Sequence, residues 1–118
     1  MSLFLINKMD LVLAENETEL IKAQSEGTLG NFIADALLQK GIDYAYHPID
    51  FAIVNNGGIR LPSLPSGNIT VGKIYELMPF DNMIVVLKVS GNIVQQLMNV
   101  SAGAIEDRMR PFLDVVAP

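Results

Sequence analysis

Three stretches of this sequence carry side chains suited to chemistry. The first is Asn55-Asn56-Gly57-Gly58-Ile59-Arg60. Arginine is a fixed, always-charged fork that matches a phosphate or carboxylate. Asparagine amides donate and accept, and paired glycines let a backbone approach a ligand closely or take a positive φ. The competing reading is a tight turn with a surface arginine, because Asn-Gly is a frequent turn dipeptide. The second stretch is Pro79-Phe80-Asp81-Asn82. An aromatic ring in a rigid turn can stack on a flat ring such as a nucleobase. It can equally plug the core while Asp81 and Asn82 make the turn. The third is His47, the single histidine, for which Ser–His chemistry would need a serine and an orienting carboxylate. Nothing marks either, so a loop histidine is the simpler reading. Glu15, Glu17 and Glu19 alternate and read as one solvated strand face, without the glycine and ligand spacing of a metal loop. Asp35 reads as a hydrogen-bonding or solvated position on a helix.

Composition narrows the field. The chain has 118 residues, no cysteine, 8 Lys+Arg and 13 Asp+Glu, for a net charge of −5. Thiolate metal sites, disulfides and cysteine nucleophiles are excluded, and one histidine excludes a multi-histidine metal centre within these residues. So few basic residues do not make the face that a nucleic-acid backbone requires. One arginine and a few backbone N–H groups still suffice for a small anion. Half of the residues are hydrophobic and the mean hydropathy is +0.34, a balance that builds a core rather than a disordered chain. No apolar run reaches membrane-spanning length, and Met1 to Ile6 lacks the basic start of a signal peptide.

The elements that must position these residues follow from periodicity. Leu11 to Ala14 reads as a short strand, and Leu20-Ile21 begins a second. Leu29, Phe32, Ile33, Ala36 and Leu37 form one apolar stripe, which predicts a helix over 28–40. Ser25, Glu26 and Thr28 supply capping oxygens at its start, and Gly41 suits a left-handed C-cap. Asp50 to Val54 reads as a strand buried on both faces, ending at the Asn55–Arg60 loop. Thr70 is an N-cap for a short helix at 71–77, with Val71, Ile74 and Tyr75 facing inward. Met83 to Val89 reads as a strongly β-prone strand. Ser90 caps a last helix with Ile93, Val94, Leu97 and Met98 on its buried stripe, and Phe112 to Val116 suggests one more strand. This alternation predicts an α+β domain with a mixed sheet and helices packed on its faces.

Five segments together resemble the C-terminal domain of the 5′-nucleotidase / UDP-sugar hydrolase family. Thr28-Leu29-Gly30-Asn31-Phe32-Ile33-Ala34-Asp35-Ala36 is similar to its "LGNxxADA" helix, and Asn55 to Arg60 to its "NxGGIR" loop. Gly67-Asn68-Ile69-Thr70 resembles "GxIT", Pro79 to Asn82 resembles "PFxN", and Ser90-Gly91-Asn92-Ile93 resembles "TGxxL". Order and spacing match over roughly residues 9–102.

The resemblance implies a division of labour. A calcineurin-like metallophosphoesterase domain, absent from this chain, would hold two divalent metals and perform hydrolysis. The present chain would be a single 5′-nucleotidase C-terminal-like domain that binds a nucleoside monophosphate or related nucleotide, with no cofactor of its own. Asn55 and Arg60 would contact the phosphate or ribose end, Gly57 and Gly58 would allow close approach, and Phe80 would stack on the base. The isolated chain would not hydrolyse phosphate esters. The family resemblance also implies a periplasmic, cell-surface or extracellular location. Two departures stand out. Ser25 occupies the place of a family arginine, and nothing matches the later "GGDGF" segment that carries a second aromatic, Phe112 being in a different context. The domain is therefore expected to be incomplete. A structural or dimerisation module that no longer binds nucleotide is the alternative function, and a stand-alone enzyme using His47 is a further one.

Overall fold

The computed structural model describes residues 8–107 and 114–116. Strand β1 (Val12–Asn16) pairs antiparallel with β5 (Gly67–Thr70), β2 (Leu20–Ile21) with β4 (Ser63–Leu64), and β3 (Ala52–Val54) with β6 (Asp114–Val116). Helices α1 (Thr28–Tyr44), α2 (Val71–Leu77) and α3 (Gly91–Asp107) pack with these strands among the described residues. The α+β class expected from the sequence is observed. Among the described residues the expected mixed sheet takes the form of three two-stranded antiparallel ladders. Gly67 opens β5 at φ 109°, a left-handed geometry that costs a residue with a Cβ.

The core is one cluster of Leu29, Ile33 and Ala34 from α1, Val54 from β3, Ile59, Leu64 from β4, Ile69 from β5, and Leu77 at the end of α2. Leu29, Ile59, Leu64 and Leu77 are each at most 2% exposed, and burial of such a side chain stabilises by about 1.5–3 kcal/mol. This cluster sets the geometry of the loops described below, because Ile59 and Leu77 bring two distant segments together.

Several expectations change in detail. Helix α1 runs past Gly41 to Tyr44. Gly41 is buried inside the helix rather than capping it, and the C-cap falls at Ala45. The N-cap is Gly27, with no side-chain cap. The Thr28 hydroxyl instead accepts from the Ile21 backbone N–H at 2.8 Å, and Glu26 accepts from the Asn31 amide at 3.0 Å. The buried stripe is rotated: Gly30, Ala34 and Gly41 join Leu29 and Ile33, while Phe32 and Ala36 are exposed. Of the acidic residues, Glu15 lies in β1 and Glu17 and Glu19 follow it outside any strand, so no single strand face carries all three. β3 is half-buried rather than buried on both faces.

Thr70 caps α2 as expected, its hydroxyl accepting from Lys73 N–H at 3.2 Å. Leu77 is the buried residue of that helix, and Tyr75 is exposed. Ser90 caps α3 through Ile93 N–H at 3.4 Å. Val94 and Leu97 are half-buried there, and Ile93 and Met98 are exposed. The largest departure is Met83–Val89. It forms no strand, and its residues are exposed. β-propensity stabilises only where a partner strand accepts the ladder, and no described strand lies beside this segment. Of the expected last strand, Asp114–Val116 forms β6; Phe112 and Leu113 lie outside the described residues.

Candidate functional site

The Asn55–Arg60 loop leaves the carboxyl end of β3. Val54 before it is 6% exposed and Ile59 near its end is 1% exposed, so the core grips both stems. Between them Asn56–Gly58 form one turn of 3₁₀ helix. Gly58 N–H donates to Asn55 C=O at 3.0 Å, and Ile59 N–H to Asn56 C=O at 3.1 Å. Neither Gly57 nor Gly58 has a positive φ. Of the pair, space is tight only at Gly58. A Cβ on Gly58 would lie 3.0 Å from Asn55 Oδ1, and one on Gly57 would lie 3.5 Å from Asn55 Nδ2. The Asn55 amide therefore lies across the glycine pair, with Asn55 and Gly57 both exposed.

Arg60 is the charged end of the loop. Its Nη1 donates to Gly57 C=O at 3.3 Å, and its guanidinium carbon lies 5.8 Å from the centroid of the Phe80 ring. That is cation–π range. Its backbone N–H donates to Leu77 C=O at 2.8 Å. Leu77 lies three residues before Phe80, so this bond ties the loop to the Phe80 bend. Phe80 is 54% exposed: the ring is presented to solvent rather than plugging the core. Arg60 and Phe80, 20 positions apart in the chain, thus form one surface with Gly57 beneath the guanidinium.

Sequence reasoning named Asn56 in its stretch without giving it a role, and missed Lys22. Asn56 is 7% exposed, and its Oδ1 has no hydrogen-bond partner among the described residues. An unmet buried acceptor costs about 1–3 kcal/mol. Lys22 donates from Nζ to Ile59 C=O at 2.7 Å. Its contact spans 37 positions, beyond any local pattern; the only local hint is a lysine directly after a short strand.

His47 is exposed, in the irregular stretch between α1 and β3. Asp35 is exposed on α1. No group of three or more His, Cys, Asp and Glu side chains gathers among the described residues, so these residues do not form a two-metal centre. No helix among them is long and apolar enough to cross a membrane. What the site offers is a flat exposed ring, a guanidinium that donates to Gly57 C=O, and an amide over a glycine turn.

Comparison with known proteins bears on the family and the fold. A profile of the 5′-nucleotidase C-terminal domain matches residues 11–116. This chain belongs to that family. It is 33% identical over 96 residues to the trifunctional nucleotide phosphoesterase protein YfkN of Bacillus subtilis, covering 81% of this chain and 6% of that protein. It is 31% identical over 88 residues to a 5′-nucleotidase of Vibrio parahaemolyticus, covering 75% of this chain and 14% of the other. Among solved structures, the 5′-nucleotidase precursor of Thermus thermophilus superposes with a TM-score of 0.81 at 33% identity, over 95% of this chain and 22% of that one. The 5′-nucleotidase C-terminal fold is thus present, in a chain that spans under a quarter of these relatives' length.

Proposed function

We propose that this chain is a nucleotide-recognition unit of a 5′-nucleotidase-type phosphohydrolase, with hydrolysis supplied by a two-metal metallophosphoesterase domain outside residues 1–118. The observation that carries the reading is the Arg60 guanidinium set against an exposed Phe80 ring. A nucleoside monophosphate presents a flat base and an anion on one small molecule. Phe80 supplies the stacking surface, and Arg60 supplies the charge-assisted donors. A guanidinium and a base are both planar, so the ring's two faces can serve both. Asn55 orients the ribose or phosphate from above the glycine pair, and the side-chain-free Gly57 and Gly58 admit the ligand to the backbone. The family likeness supports a location outside the cytoplasm, where such hydrolases meet nucleotides.

Calorimetric titration of the full chain with AMP and with adenosine tests the proposal. Both should bind, AMP more tightly, and Phe80→Ala should weaken both by about 1–3 kcal/mol, the scale of one base–aromatic stack. Absence of heat from either ligand at millimolar concentration would refute it.

One observation favours a second reading, a structural or dimerisation module. Met83, Val85 and Leu87 are 85%, 65% and 74% exposed in a run that joins none of the described ladders, the kind of edge that recruits another strand. Sedimentation equilibrium separates the two: a stable dimer that ignores both AMP and adenosine would support the module.

A further inference from the structure

The peptide unit between Ile59 and Arg60 is held from both sides. Its carbonyl accepts the Lys22 ammonium at 2.7 Å, and its N–H donates to Leu77 C=O at 2.8 Å. The first partner comes from the end of β2, the second from the end of α2. Lys22 is itself fixed in register, its backbone N–H donating to Pro62 C=O at 2.9 Å, which continues the β2–β4 ladder. Arg60 projects from this peptide onto Phe80. Phe80 in turn follows the Leu77 carbonyl that receives the same peptide's N–H.

A hydrogen bond from an ammonium is stronger than one between neutral groups. Polarising a carbonyl from one side also strengthens the N–H donation on the other. A lysine with only a surface role would have its head in water; this one is half-buried and directed at a backbone carbonyl. Among the described residues its ammonium has no carboxylate partner.

We propose that Lys22 is a positioning residue of the site: by gripping the Ile59–Arg60 peptide it sets the Arg60 guanidinium on Phe80. Its consequence for ligand binding rests on the reading that Arg60 and Phe80 receive a nucleotide. Lys22 does not contact the ligand; it acts through Arg60.

The test uses the full isotope-labelled chain without ligand, then with AMP. Lys22→Met should speed hydrogen exchange of the Arg60 amide about tenfold or more, the scale of one charge-assisted hydrogen bond. It should also move the Arg60 side-chain resonances out of the Phe80 ring-current shift. The Ile33 and Ala34 amides of α1 should keep their protection, and Lys22→Arg should restore both Arg60 signals. If Lys22→Met loses α1 protection, Lys22→Gln is judged by the same signals. Unchanged Arg60 exchange and shifts in a folded variant would overturn the proposal. With AMP, Lys22→Met should weaken binding about fivefold to tenfold, and no further in an Arg60→Ala background. Equal losses in both backgrounds, or wild-type affinity in Lys22→Met, would overturn it. If wild-type chain binds no AMP, the nucleotide reading fails, and the ligand-free signals alone decide the role of Lys22.

Discussion

Gly57→Ala separates the needs of the fold from the needs of a ligand. Among the described residues, a Cβ at this position would meet only Asn55 Nδ2, at 3.5 Å, an ordinary van der Waals contact. The backbone there has no positive φ, and the residue is exposed. Among the described residues, nothing opposes alanine. Replacing an unstrained glycine reduces the freedom of the unfolded chain and stabilises by about 0.4–1 kcal/mol. For a domain of this size that raises the melting temperature by roughly 2–6 °C. A ligand seated against the glycine pair would meet the new methyl group, and overpacking of that kind costs about 1–3 kcal/mol. AMP affinity should therefore fall about 5-fold to 150-fold in a protein that is more stable than wild type. Differential scanning calorimetry gives the first quantity and titration calorimetry the second. A destabilised variant would refute the backbone argument. A stabilised variant with unchanged AMP affinity would refute ligand approach at Gly57.

Three further outcomes follow from the packing. Gly27→Ala should destabilise by about 3 kcal/mol in chemical denaturation, because its Cβ would lie 2.7 Å from Ala23 N and 2.8 Å from Ile21 O, and backbone atoms cannot step aside. Thr70→Ala should cost about 1 kcal/mol through loss of the N-cap, read from the same denaturation curves, with AMP affinity unchanged. On the dimerisation-module reading, Ile84→Lys should reduce concentration-dependent self-association in sedimentation velocity, since charge on a β-prone segment outside the described ladders discourages strand pairing.

The parts of this fold that were legible in the sequence are those decided within a few residues. Thr70 and Ser90 each sit three positions before the N–H they cap, so residue type and spacing suffice. The 71–77 helix and the strands at Leu20 and Val12 are read the same way. The failures are non-local. Gly41 looks like a stop signal, but it is buried within the helix, which continues to Tyr44. Phe32 fits the apolar period as well as Ala34 does; which of them is buried depends on where the core cluster lies. Met83–Val89 has strand chemistry without a described strand to pair with. In the site, residue types pointed to Arg60 and Phe80 separately. Their contact depends on Ile59 and Leu77 sharing a core, and the Lys22 anchor depends on the β2–β4 register. Neither is written in a local pattern.

Recognition of the two ends of a nucleotide by Arg60 and Phe80 is most directly tested by the difference in binding free energy between AMP and adenosine. Titration calorimetry measures it for wild type, Arg60→Ala and Phe80→Ala. Arg60→Ala should weaken AMP by about 1.5–3 kcal/mol and leave adenosine nearly unchanged, erasing the preference for the phosphate. Phe80→Ala should weaken both ligands alike and preserve that preference. An AMP preference that survives Arg60→Ala, or AMP and adenosine affinities that survive Phe80→Ala, would contradict the claim.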